Sequence, residues 1–178
     1  MEFFSKTFPE AVFLLIGEAT ADNHTADAPS EKFRLSPRNR YIERAMVYLR
    51  QRKIPEELIQ EFYKEGLIYE AAQRHNVVFV GKDESGILRY AYCKGTEDTF
   101  LMDVIGSDKA HNFIYRSDGK SLFVFEAPID LMSFVALYSK NWRSRNYLSL
   151  GGIGAKSLED VLSEHSNMQT YLYLHRCG

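Results

Sequence analysis

Residues 122–134 read LFVFEAPIDLMSF, and this stretch decides the fold. Leu122–Phe125 is a continuous apolar run, the pattern of a strand buried on both faces. Pro128 suits the first position of a helix. That helix is expected to run to about Tyr138, with Ile129, Met132, Phe134 and Val135 available to the core. The alternation then continues. Tyr147–Leu150 reads as a strand ending in Gly151-Gly152. Ser157 caps a helix through Glu164, with Glu159 and Asp160 in its first turn. Tyr171–Leu174 reads as a third strand. Strands spaced by helices of this length predict a parallel sheet with right-handed crossovers.

Upstream the pattern differs. Ile42, Ala45, Met46 and Leu49 follow helical spacing and predict a helix over 39–52. Pro55 opens another, carrying Leu58, Ile59 and Phe62 inward and ending at Gly66. The two make a helical hairpin. The period then changes to 2. Val77–Val80 is a buried strand, and Lys82–Gly86 is a hairpin turn. Ile87–Lys94 alternates between two distinct faces. Phe100–Val104 and Phe113–Tyr115 are short extended pieces, with a polar loop over 106–109 and a turn over 117–120. At the N-terminus, residues 8–16 (FPEAVFLLI) read as a short helix ended by Gly17. Residues 18–31 are small, polar and non-periodic, as in a linker. The expected class is α/β. A helical hairpin and a small antiparallel sheet, α+β in character, precede a parallel sheet flanked by helices.

Composition narrows the function. The chain has 178 residues, enough for one domain or two small ones with no need of a disulfide or metal staple. Apolar residues at 45% and aromatic residues at 13% exclude intrinsic disorder. Two cysteines, Cys93 and Cys177, exclude a disulfide framework or a Cys-rich zinc site. No apolar run approaches a membrane span, and no signal peptide is recognised, so the expected location is cytoplasmic.

The net charge of −2 hides a gradient. Residues 1–31 hold one basic residue, Lys6, against six acidic ones. Residues 32–53 hold eight basic residues, among them Arg40, Arg44 and Arg52, against Glu43 alone. A second basic stretch runs through Lys140, Arg143, Arg145 and Lys156. Such segments suit polyphosphate partners, or they are solvated helix faces.

Ligands of an open parallel sheet bind beyond the carboxyl ends of its strands. Glu126 stands there, with Asp130 one helical turn on. The pair suits Mg²⁺, a hard cation, or simply favours a helix N-terminus. His175 and Cys177 are metal ligands by type, but at a chain end they equally form an exposed tail. Gly151-Gly152-Ile153-Gly154 permits close backbone approach to a ligand, or a tight turn. Trp142 beside Arg143 suits base stacking, or partial core. No nucleotide-binding glycine loop and no nucleophile elbow occurs.

In sequence, LFVFEAPIDLMSF (122–134) resembles the first motif of a Toprim domain, the metal-binding fold of bacterial primases and topoisomerases. YLSLGG (147–152) resembles its second strand and glycine turn. Residues 39–70 resemble the helical hairpin that opens the primase polymerase core. VVFVGKDESGILRYAYCKGT (77–96) resembles the strand–turn–strand that follows, and GSDKAHNF (106–113) the Lys-bearing loop ahead of Toprim. FFSKTFPEAVFLLIG (3–17) resembles the last helix of a primase zinc-binding domain. The nearest resemblance is to Firmicutes conjugative-element proteins that join a domain of unknown function to a Toprim-like domain. One departure is marked. The third Toprim strand should end in Leu-Asp-x-Asp, whereas YLYL (171–174) is followed by His175, Arg176, Cys177 and Gly178.

The resemblance implies three parts. These are a remnant zinc-domain helix with linker (1–30), a primase-core-like part (31–118) and a truncated Toprim-like part (119–178). It implies Glu126 as metal ligand or general acid/base, supported by Asp130. It implies Arg89, Lys109, Arg40, Arg44 and Arg52 on nucleotide or single-stranded DNA phosphates. The implied cofactor is Mg²⁺ or Mn²⁺, bound weakly without the two aspartates, and no zinc. The implied partners are nucleic acid and other mobile-element replication or transfer proteins. The chain would be a central piece of such a protein, inactive in nucleotidyl transfer alone. An uncovered sheet edge predicts some self-association. The alternatives are a non-catalytic nucleic-acid- or partner-binding module and a plain folding unit.

Overall fold

The structure, a computed structural model, describes residues 32–151, 163 and 166–173. The helix expected over 8–16, the linker over 18–31, all but Ser163 of the helix over 157–164, and His175 and Cys177 lie outside these residues. The fold is mixed α/β, with two four-stranded sheets and three α-helices among the described residues.

Helices α1 (Glu43–Gln51) and α2 (Glu56–Lys64) form the expected hairpin. Ala45, Met46 and Leu49 of α1, and Leu58, Ile59 and Phe62 of α2, are buried as their spacing predicts. Helix α1 starts four residues later than residue 39. Before it, Arg38 bridges to Ala71, and the Asn39 amide donates to the Glu70 carbonyl at 2.7 Å, so this chain runs extended. The helix has no side-chain cap of its own. The buried Glu70 carboxylate supplies one from outside. Its Oε2 accepts from the Ala45 amide at 3.0 Å, and its Oε1 accepts from Asn39 Nδ2 at 2.7 Å and faces His75 Nδ1. A carboxylate at a helix N-terminus satisfies orphan donors and meets the positive end of the helix dipole.

The first sheet is an antiparallel meander. Its strands are β1 (Ile68–Glu70), β2 (Val77–Lys82), β3 (Leu88–Lys94) and β4 (Leu101–Asp103). Strand β1 has only three residues and escaped the sequence reading, because no periodicity shows in so short a piece. Both faces of the sheet are covered. Val77, Phe79, Tyr90 and Tyr92 join the main core, while Val78, Val80, Ala91 and Cys93 form a second cluster with Tyr69. Burial on both faces explains the unbroken apolar run of β2.

The second sheet has the order β5-β7-β6-β8. Its strands are β5 (Ile114–Tyr115), β6 (Ser121–Phe125), β7 (Asn146–Ser149) and β8 (Gln169–Tyr173). Strand β6 pairs in parallel with β7 and β8, as the strand spacing predicts. Strand β5 adds an antiparallel edge. Helix α3 (Pro128–Leu137) joins β6 to β7.

One aromatic cluster unites the sheets. The Phe62 ring of α2 lies 6.0 Å from Phe113, 5.5 Å from Tyr115 and 6.0 Å from Trp142. Phe113 in turn meets Phe79 of β2 edge-on at 5.4 Å. Trp142 is therefore core and not a base-stacking platform. Only 5% of it is exposed, and Arg143 covers its face while pairing with Glu61.

Two outcomes are expected. Phe62→Ala should destabilise the chain by about 3–5 kcal/mol, because it opens a cavity beside the rings of Phe113, Tyr115 and Trp142; a loss below about 1 kcal/mol in urea unfolding would contradict this. Hydrogen bonds hold the Glu70 carboxyl below its ordinary range, against the opposing effect of burial. A depressed carboxyl adds stability that is complete above the unfolded-state value near about pH 4.3 and is lost as pH falls through the folded value. Glu70→Gln should therefore cost about 1–3 kcal/mol at neutral pH, with a smaller deficit near about pH 3. Unfolding curves at the two pH values check this.

Candidate functional site

The carboxyl ends of β6 and β7 meet the first sheet. Glu126 follows β6 directly and is half-buried, two residues before α3 begins at Pro128. Asp130 lies exposed in the first turn of that helix. Beside them the buried Ser149 hydroxyl at the end of β7 donates to the Glu126 carbonyl at 3.3 Å. Gly151 then turns the chain with φ +64°.

Tyr90 of β3 lies over this strand end. A Cβ on Gly151 would fall 1.9 Å from the Tyr90 hydroxyl and 3.3 Å from Asp103 Oδ1. The Tyr90 hydroxyl donates to Asp103 Oδ1 at 2.7 Å, and Asp103 Oδ2 pairs with Lys109 Nζ at 2.8 Å. A polar chain thus runs from Lys109 through Asp103 and Tyr90 to the turn beyond β7.

The electrostatics assign states to these groups. Burial pushes the Tyr90 hydroxyl far above its ordinary value, and the bond to Asp103 raises it further. Burial pushes Tyr92 up to about 12, aided by the charges of Asp103, Asp130 and Glu126 among others. Both phenols are protonated at physiological pH, and Tyr90 donates its hydrogen bond to Asp103. Three carboxylates bear on one phenol, so negative charge gathers at this end of the sheets. Lys109, more than half exposed at its side chain, presents a cation to anything entering.

Glu126, Asp130 and Lys109, all candidates from the sequence, therefore come to the same end of the molecule. Arg89 does not join them. Its side chain leaves β3 on the face opposite Tyr90 and binds Asp83 of the hairpin turn at 2.8 Å. Arg40 lies over Tyr41, Arg44 pairs with Glu97 at 3.0 Å, and Arg52 lies over Tyr48. None of those contacts involves Glu126 or Lys109. Sequence reasoning missed Tyr90, Asp103 and Ser149. Gly151 was visible as a site of close backbone approach, but what approaches it is Tyr90.

A divalent cation of the Mg²⁺ type takes oxygen donors and can be held by one or two carboxylates together with substrate phosphates. Glu126 and Asp130 fit in kind. They are few in number, because no group of three or more His, Cys, Asp or Glu disposed to hold a metal occurs among the described residues. Asp103 is already engaged by Tyr90 and Lys109.

Residues 47–121 match a family described as a protein of unknown function, DUF3991. The match runs from within α1 to the start of β6. No curated protein matches the chain. Among solved structures, it is similar to the primase fragment of the bacteriophage T7 primase-helicase protein. The TM-score is 0.49 and the identity 16%, over 72% of this chain and 53% of that one. It is also similar to the DnaG primase catalytic domain bound to single-stranded DNA. There the TM-score is 0.44 and the identity 15%, over 76% and 56% of the two chains. The chain spans about half the length of these solved chains.

Gly151→Ala should destabilise the fold, since a left-handed backbone costs an L-residue about 1–2 kcal/mol before any clash with Tyr90. Tyr90→Phe removes the clashing oxygen. The double variant should then be more stable than the summed single effects by at least about 0.5 kcal/mol. Additive losses in urea unfolding would show that Tyr90 does not press on Gly151.

Proposed function

We propose that this chain is primase-like and Toprim-related in function. In this reading it binds single-stranded nucleic acid and holds a divalent cation weakly at Glu126. The observation that carries it is the convergence of Glu126 and Asp130 with the Lys109–Asp103–Tyr90 chain at the carboxyl ends of β6 and β7. That is where an open parallel sheet places its ligands. The motif order along 39–152 supports the same reading.

The roles follow from charge and position. Glu126 is the principal cation ligand, with Asp130 in support. When bound, the cation neutralises phosphate charge. Lys109 meets a phosphate oxygen as a point charge, and Asp103 fixes its position. Tyr90 stays protonated and holds Asp103 in place. Arg40, Arg44, Arg52 and Arg89 act as exposed backbone contacts for a nucleic-acid strand, away from the carboxylates. Nucleotidyl transfer belongs to the intact protein, in which further carboxylates complete the site. Its setting is replication or transfer of a mobile element in Firmicutes, within the cytoplasm.

A second reading is a nucleic-acid-binding module without catalysis, which the exposed Arg40, Arg44 and Arg52 support.

Calorimetric titration with Mn²⁺ and Mg²⁺ separates the two. Weak binding that Glu126→Gln abolishes is the expected result; no binding by the parent chain supports the second reading. Lys109→Ala should lower affinity for a single-stranded oligonucleotide and reduce the salt slope by about 1. An unchanged slope would remove Lys109 from the phosphate path. Primer synthesis by the purified chain alone would overturn the assignment of catalysis to the intact protein.

A further inference from the structure

The outer face of the first sheet, away from Glu126, carries a groove of about 400 Å³. Phe100, Met102 and Ile105 line its apolar side, and Lys32, Arg34 and Arg74 supply its charge. Met102 and Ile105 are exposed. No acidic side chain lines it among the described residues. Nor does any ion pair among the described residues engage these three cations, whereas Arg44, Arg50, Arg89 and Arg143 each have a carboxylate partner. The groove is therefore apolar and cationic, and no carboxylate among the described residues neutralises it.

The preceding part of this same chain has the complementary composition. Residues 1–31 carry six acidic residues against Lys6 and include the apolar run FPEAVFLLI. They are joined to the groove covalently, because Lys32 itself lines it. A tethered segment meets its site at an effective concentration on the order of millimolar. Weak charge pairs and a modest apolar contact then suffice.

We propose that residues 1–31 dock in this groove, with their acidic side chains against Lys32, Arg34 and Arg74 and their apolar run on the Phe100–Ile105 side. The segment is an internal anionic occupant of the outer sheet face. The inference is independent of the reading given to Glu126.

The test uses the full chain, isotopically labelled for amide detection, with a nitroxide on Ala19→Cys in a Cys177→Ser background. Cys93 is buried and stays unlabelled. At low salt the amide signals of Arg74, Met102 and Ile105 should lose most of their intensity, while Leu137 and Tyr138 keep theirs. About 0.5 M salt, which shortens the screening length to a few ångströms, should restore them. So should Arg34→Glu combined with Arg74→Glu, two exposed positions where the fold tolerates change. Unperturbed groove signals would overturn the proposal. So would broadening that survives the charge reversal. Broadening seen only when tagged unlabelled chain is mixed with labelled untagged chain would mean that a second copy occupies the groove. Groove signals that ignore the tag but shift with an oligothymidylate would make it a nucleic-acid face. Either result refutes the intramolecular assignment.

Discussion

The packing of Phe62 against Phe113, Tyr115 and Trp142 joins the second sheet to the helical hairpin, and Phe113 passes the contact to Phe79 in the first sheet. These residues come from α2, β2, β5 with the residue before it, and the turn between α3 and β7, so the ring cluster is where distant parts of the chain become one core. Aromatic rings suit the task because each buries a large apolar area and meets its neighbours at defined angles. The antiparallel β5 is essential to it, since Tyr115 and Phe113 reach Phe62 from that short edge. The same core extends through Tyr90 and Tyr92 of the first sheet to Phe123, Phe125 and Tyr147 of the second.

That interior fixes the relation between the two halves of the candidate site. Glu126 and Asp130 belong to the end of β6 and the helix after it, Tyr90 and Asp103 belong to the first sheet, and Lys109 stands in the turn that follows β4. The first sheet approaches the turn after β7 closely because Gly151 leaves room for the Tyr90 hydroxyl. The same closeness sets the chemistry. Burial raises both tyrosine hydroxyls further above their ordinary value, and the carboxylates nearby add to it. The site is thus acidic at its base, with Lys109 at its rim.

Much of this was legible along the chain. The helical faces of α1 and α2, the hairpin at Asp83–Gly86, and the strand–helix–strand from Ser121 to Ser149 all follow from periodicity and turn residues. Three features were not. Strand β1 is too short to show a period. The start of α1 moved because residues 38–39 pair with 70–71, a contact between distant positions. Trp142 is core because Phe62 and Tyr115 enclose it, and neither is near it in sequence.

For the site the division is similar. Glu126, Asp130 and Lys109 stood out by type and by position after a strand, at a helix start or in a polar loop. The separation of Arg89 from that group depends on which face of β3 it leaves, and on Asp83 capturing it. Tyr90 and Asp103 carried no signal, because a Tyr in an alternating strand and an Asp at a strand end are ordinary until something packs on them. The amino-acid order by itself determined the local elements, since these depend on spacing, capping and turn conformation within a few residues. Tertiary structure alone decided which charged groups meet and which are neutralised, because that depends on contacts between residues far apart in the chain and on the burial those contacts create.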